Sequence, residues 1–209
     1  MREMSVSVVI PTRDRWSLLQ RALASVFVQT VPVHEIVIVD DGSGDGTPGR
    51  LTELGDPRVN VIALERSGGA PHARNIGMAA SRGRYIAFLD SDDEWLPTYL
   101  ETTLSLFSAQ PPPLAVCSAM IRRTSVRDVE VHPSWGQDCF DRLVSHRSPV
   151  CPAIVIDHGT TAGARWDETL PAMQERDFLI SLSRMGPIAC SPDPPICRAR
   201  LPVNGARWR

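Results

Sequence analysis

Through roughly the first 110 residues, short apolar runs alternate with longer segments whose apolar residues recur every three to four positions. Val6-Ser7-Val8-Val9-Ile10-Pro11 reads as a buried strand that proline stops. An amphipathic helix is predicted from about Arg15 to Gln29, with Trp16, Leu19, Leu23, Val26 and Phe27 on its apolar face and Asp14 as its cap. Ile36 to Val39 is the second strand, Thr47 to Leu54 a short helix and Val59 to Leu64 the third strand. Gly68-Gly69 breaks the chain. A helix over 71–81 follows, with proline in its favoured first turn. Tyr85 to Leu89 is the fourth strand, and Leu96-Pro97 opens a further helix to about Ala109.

Strands separated by helices imply a mostly parallel sheet flanked by helices, joined by right-handed crossovers. Ligands of such sheets sit beyond the carboxyl ends of the strands. After the stiff break Gln110-Pro111-Pro112-Pro113 the pattern weakens. Leu114 to Arg122 and Ala153 to Ile156 read as strands, 124–152 as polar and irregular, and Asp177 to Arg184 as a helix ending at Gly186-Pro187. The length of 209 residues suits a single domain, with residues 1–110 as its regular, ligand-binding half and 111–209 as a less regular half that shapes a second substrate's site.

Composition narrows the chemistry. Net charge is −2, which argues against a nucleic-acid surface. All 22 basic residues are arginine, so Schiff-base chemistry and a P-loop lysine are excluded. Cys117, Cys139, Cys151, Cys190 and Cys197 form no CxxC pair and read as free thiols of a reducing cytosol rather than zinc ligands. The spacing of His72, His132, His146 and His158 shows no ligand pattern. The first residues do not resemble a signal peptide, and no apolar stretch reaches the ~20 residues of a membrane helix. A cytoplasmic protein is expected, with peripheral attachment to the inner face of a membrane left open, as is a homodimer.

Two clusters of carboxylates stand directly after strands. They are Asp40-Asp41-Gly42-Ser43-Gly44-Asp45, after Ile36–Val39, and Asp90-Ser91-Asp92-Asp93, after Tyr85–Leu89. Such groups repel one another and lose hydration when brought together, so a cation or a set of donors is expected between them. Each cluster alone could be a turn that caps the following helix. Three carboxylates in the second exceed what a cap needs. Hard oxygen ligands suit Mg²⁺ or Mn²⁺ on a nucleotide diphosphate. Asp41 and Asp92 are accordingly expected to face one hollow.

Val8-Val9-Ile10-Pro11-Thr12, Val39-Asp40-Asp41-Gly42-Ser43, Ala73-Arg74-Asn75-Ile76-Gly77 and Phe88-Leu89-Asp90-Ser91-Asp92-Asp93 occur in an order and at spacings that resemble family 2 glycosyltransferases of the GT-A fold. The resemblance resumes at Gly163–Pro171 and Gln174–Asp177. It implies an inverting transferase that moves a sugar from a nucleotide-diphosphate donor, UDP-sugar first, to a hydroxyl of a glycan, lipid-linked or small-molecule acceptor. It also implies that Asp41 bonds the nucleobase edge beside Pro11, Thr12 and Arg13, and that Arg74 holds that aspartate and offsets charge near the diphosphate; pairing with a nearby aspartate is the structural alternative for Arg74. Asp90 is assigned to ribose or metal, Asp92 to metal, and Asp93 could exchange roles with either. Trp166 would line the acceptor pocket, although a core position is the commoner fate of a tryptophan. Gln174 stands where the family has glutamate, which leaves Glu175, preferred, and Asp177 as candidates for the catalytic base. Asn75 and Gly77 are read as helix-packing residues, and Arg198 and Arg200 as a solvated tail.

Two readings from other classes compete. One is a catalytically silent nucleotide-sugar-binding module, in which Glu175 only complements a helix dipole. The other is a nucleotidyltransferase, although no Gly-rich, arginine-bearing loop follows the first strand. A dinucleotide fold is disfavoured because Gly-x-Gly-x-x-Gly is missing there.

Overall fold

The computed structural model of the chain describes residues 4–123, 128–131 and 153–198. Its strands are β1 (Val6–Thr12), β2 (Glu35–Asp40), β3 (Val59–Ala63), β4 (Tyr85–Phe88), β5 (Asp93–Trp95), β6 (Ala115–Arg123), β7 (Asp128–Val131), β8 (Ile154–Asp157) and β9 (Ile188–Arg198). Its helices are α1 (Trp16–Phe27), α2 (Thr47–Thr52), α3 (Ala70–Ala80), α4 (Tyr99–Ser105) and α5 (Gln174–Met185).

The strands form one sheet in the order β3-β2-β1-β4-β8-β6-β9-β5, with β7 added to β6. From β3 to β4 every pairing is parallel. Beyond β4 the sheet is mixed, because β8 runs antiparallel to both β4 and β6. The carboxyl ends of β1, β2 and β4 therefore share one edge, which carries both acidic loops.

Alternation along each strand divides the core into two layers. Val8, Ile10, Ile36, Ile38, Ala87 and Leu89 pack with Leu19 and Leu23 of α1, Leu51 of α2 and Leu100 of α4. Val9, Val37, Val39, Ile86 and Phe88 pack on the other face with Ala73 and Met78 of α3, Phe178, Leu179 and Leu182 of α5, and Trp166. Each fully buried leucine or valine contributes about 1.5–3 kcal/mol. The same alternation continues past the strand ends. Thr12 and Asp40 follow the α1 face, whereas Asp41 and Asp90 follow the face of α3 and α5.

Gly77 lets α3 lie directly on β1, since a Cβ there would meet Val9 Cγ1 at 2.4 Å. Asp14 does not cap α1. The N-cap is Arg15, without a side-chain cap bond. Asp14, at a φ of 51°, instead accepts the Gly44 N–H at 2.7 Å, while its own N–H donates to Ser43 Oγ at 2.8 Å. It staples the first acidic loop to the end of β1. The helix expected from Asp177 starts earlier, at Gln174, so Glu175 and Asp177 both lie in its first turn. Strands β5, β7 and β9 were not expected.

Candidate active site

Helix α3 brings the separate parts of the edge together through Arg74. The guanidinium is buried, at 3% exposure. Nη2 donates to Asp90 Oδ1 at 2.7 Å and to Glu175 Oε1 at 3.2 Å, and Nη1 donates to Gln174 Oε1 at 3.4 Å. Burial works against its charged form, but the carboxylates of Asp90 and Glu175 outweigh that cost and raise its pKa further. Its Cζ lies 4.5 Å from the centroid of the Trp166 ring. The arginine expected to hold Asp41 holds Asp90 and Glu175 instead. They meet it because Asp90 leaves the sheet on the α3 face and α5 points its first turn at the same place.

Glu175 and Asp177 cannot both serve this spot. Two residues along a helix are about 200° apart around its axis. Glu175 is the one that reaches Arg74.

Asp41 is buried, with no exposed surface. Its carboxylate accepts from Ser67 Oγ at 2.5 Å, Gly68 N–H at 2.7 Å and Gly69 N–H at 3.0 Å. The loop that opens α3 thus covers it, and the expectation that Asp41 and Asp92 face one hollow is not met. Gly42 permits the close approach, because its φ is 73° and a Cβ would stand 3.0 Å from the Ser67 nitrogen.

Asp40 is also buried, on the other face, where Ser43 Oγ donates to its Oδ1. Burial raises its pKa, opposed by the Ser43 bonds. Thr12, its register partner, is buried. Thr12 Oγ1 and Asp40 Oδ2 have no hydrogen-bond partner among the described residues. Pro11 is buried beside Val39, and Arg13 is exposed, 3.6 Å from Asp14 Oδ2.

Asp90 to Asp93 form a tight turn, closed by the Asp93 N–H on the Asp90 carbonyl at 3.0 Å. Asp92 Oδ2 lies 3.6 Å from Arg15 Nη1, and Asp93 is buried at the head of β5. No group of three His, Cys, Asp or Glu side chains is gathered as a metal cage among the described residues. Asp90 and Asp92 nevertheless fit the pattern of a small divalent ion held by one or two carboxylates and completed by substrate phosphates.

Trp166 does not line a pocket. It is 2% exposed, stacked on Phe178 at 4.1 Å and edge-on to Phe88 at 5.2 Å. Asn75 does more than pack. Its amide donates to the Trp166 carbonyl at 2.9 Å and accepts the Trp166 N–H at 2.9 Å, and it also donates to Glu168 Oε1 at 2.8 Å. His72 Nδ1 lies 2.9 Å from Glu168 Oε2. The Asn75 bond, helped by His72, lowers the Glu168 pKa. Arg15, Gln174 and the donors at 67–69 were missed as site residues. For Arg15 a signal existed, since a cation at a helix N-terminus opposes the dipole unless an anion lies nearby. Residues 132–152, with His132, His146, Cys139 and Cys151, lie outside the described residues, as do Arg200 and the side chains of Cys197 and Arg198.

A cavity of about 460 Å³ lies at the opposite edge of the sheet, lined by Ser5, Arg82, Gly83, Arg84, Asp157, His158 and Gly159. None of the acidic-loop residues named above lines it.

The sequence profile of glycosyl transferase family 2 matches residues 7–175. WfaP of Escherichia coli, named a UDP-Glc:alpha-D-GlcNAc-diphosphoundecaprenol beta-1,3-glucosyltransferase, is 33% identical over 178 residues, 85% of this chain and 69% of WfaP. The succinoglycan biosynthesis protein ExoO of Rhizobium meliloti is 40% identical over 111 residues, 53% of this chain and 32% of ExoO. The chain spans well under half the length of several such relatives, 42% in the case of E. coli WfgD. Among solved structures, S. aureus TarS 1-349 in complex with UDP-GlcNAc superposes with a TM-score of 0.79 at 20% identity, over 95% of this chain and 59% of TarS 1-349.

Proposed function

The chain belongs to glycosyl transferase family 2 and has the GT-A fold, and on that footing we propose that it transfers a sugar from a nucleotide-diphosphate donor to an acceptor hydroxyl with inversion. The observation that carries the reading is the Asp90–Arg74–Glu175 bridge, which joins a donor-side carboxylate to a base candidate from the far end of the sequence. UDP-sugars come first as donors, and UDP-glucose first among them, because WfaP and WfgD are named for it. Their names also make a lipid-linked diphosphate the first acceptor class to try. A protein working on such a lipid would sit in the cytoplasm against the inner face of the membrane. No helix among the described residues is long and apolar enough to cross one.

In this reading Asp90 and Asp92 hold Mg²⁺ or Mn²⁺, which when bound supplies Lewis-acid stabilisation to the departing diphosphate. Glu175 removes the proton from the acceptor hydroxyl. The acceptor oxygen bonds to the anomeric carbon from the face opposite the donor diphosphate. The bond from that carbon to the diphosphate oxygen breaks, and its electron pair leaves with the nucleoside diphosphate. Arg74 holds the Glu175 carboxylate in place, and its burial keeps water from competing for those bonds. A positioned base contributes ~10²–10⁴-fold in rate.

The test is UDP release from UDP-glucose with a lipid-linked acceptor and Mn²⁺, in wild type and Glu175→Gln. Loss of turnover in the variant by about 100-fold or more supports the base assignment. Turnover absent from wild type, with UDP still bound, would favour the silent-module reading.

A further inference from the structure

We infer that Arg74 couples occupancy of the donor end of the site to the placement of Glu175, acting as a positioning residue. The inference rests on the reading of Asp90 as a donor-side group and Glu175 as the base. A single nitrogen, Nη2, serves both carboxylates, at 2.7 Å and 3.2 Å. The guanidinium has little freedom to leave, because it is buried and lies over Trp166. Trp166 stacks on Phe178 of α5, so the ring under Arg74 also carries the helix that bears Glu175. The neighbouring Asn75 pairs with the backbone of Trp166 in both directions. The N-terminal half of α3 is thus joined to α5 by packing and hydrogen bonds, and to the turn after β4 by an ion pair.

A donor group that takes an oxygen of Asp90, whether a ribose hydroxyl or a diphosphate-bound cation, draws on the contact that Nη2 shares. Nη2 then turns toward Glu175. The coupling is reciprocal by linkage, so a change at Glu175, which does not touch the nucleotide, must alter nucleotide affinity. Asp177 provides the control. It lies in the same first turn and carries the same charge, but the carboxylates paired with Arg74 are those of Asp90 and Glu175.

The experiment is calorimetric titration of the full chain with UDP and Mn²⁺ near 0.15 M salt, in wild type, Glu175→Gln, Asp177→Asn, Arg74→Lys and Arg74→Lys/Glu175→Gln. Lysine keeps the charge but offers one ammonium in place of a planar fork. The expected result is a shift of about fivefold or more in the UDP dissociation constant for Glu175→Gln. The shift for Asp177→Asn should stay under about twofold, as a screened charge effect. In the Arg74→Lys background the Glu175→Gln effect should vanish. Equal shifts in Glu175→Gln and Asp177→Asn, or a Glu175→Gln effect that persists in the Arg74→Lys background, would overturn the coupling while leaving the donor site standing. Unchanged turnover in Glu175→Gln with the coupling intact would overturn the base assignment alone. Wild type that binds no UDP would overturn both.

Discussion

The hydroxyl of Ser67 donates to the carboxylate of Asp41 at 2.5 Å, across 26 residues, and closes the loop before α3 over the end of β2. Any nucleobase read by Asp41 must displace part of that contact. Ser67→Ala should cost about 1 kcal/mol in urea denaturation, as for one hydrogen bond. If Asp41 receives the base, the same variant should bind UDP about fivefold more tightly, because a competitor is gone. Unchanged UDP affinity would leave Asp41 as a loop anchor only.

Arg74→Ala leaves Asp90 and Glu175 without their shared cation and removes the packing over Trp166. The expected loss is about 3 kcal/mol, toward the low end for a broken buried pair. The two carboxylates keep 20% and 26% exposure, and that moderates the penalty. Urea denaturation checks this, and a loss under about 1 kcal/mol would mean a contact of the surface kind.

Gly77→Ala places a methyl 2.4 Å from Val9 Cγ1. Alanine is the better helix former by ~1 kcal/mol, yet overpacking costs about 1–3 kcal/mol. A lowered melting temperature is expected. A raised one would show that α3 can move off β1 freely.

Asp40 gives a pH signature. Burial raises its folded pKa, with Ser43 opposing. The folded state then holds its proton to higher pH than the unfolded chain does. Its contribution is present below the unfolded pKa and is lost as pH rises through the folded one. Asp40→Asn removes that loss. Relative to wild type, its melting temperature should therefore improve from about pH 4 to about pH 7. A difference that does not change with pH would contradict the assignment.

Much of the fold was legible because the first four strands are short, apolar and separated by amphipathic helices. The acidic loops followed from where those strands end. The rest depends on contacts that local pattern does not carry. Strand β9 contains Pro192, Pro194 and Pro195, which argue against a strand in sequence. It is accommodated beside β6 with a register irregularity between Ser118 and Met120. Two of the three donors that cover Asp41 are the backbone N–H groups of Gly68 and Gly69, which no side-chain pattern reveals. Trp166 was ambiguous because indole suits sugar faces and cores alike, and its stack on Phe178 decides for the core. That Glu175 is the carboxylate of this turn that meets Arg74 needed the helix start at Gln174.

The most direct measurement is calorimetric titration of UDP into wild type, Asp90→Asn and Asp92→Asn, with and without Mn²⁺. The account predicts Mn²⁺-dependent binding to wild type and a loss of about tenfold or more in each variant, equivalent to ~1.4 kcal/mol. Folded wild type that takes up no UDP with Mn²⁺ present, or variants that bind as well as wild type, would contradict it.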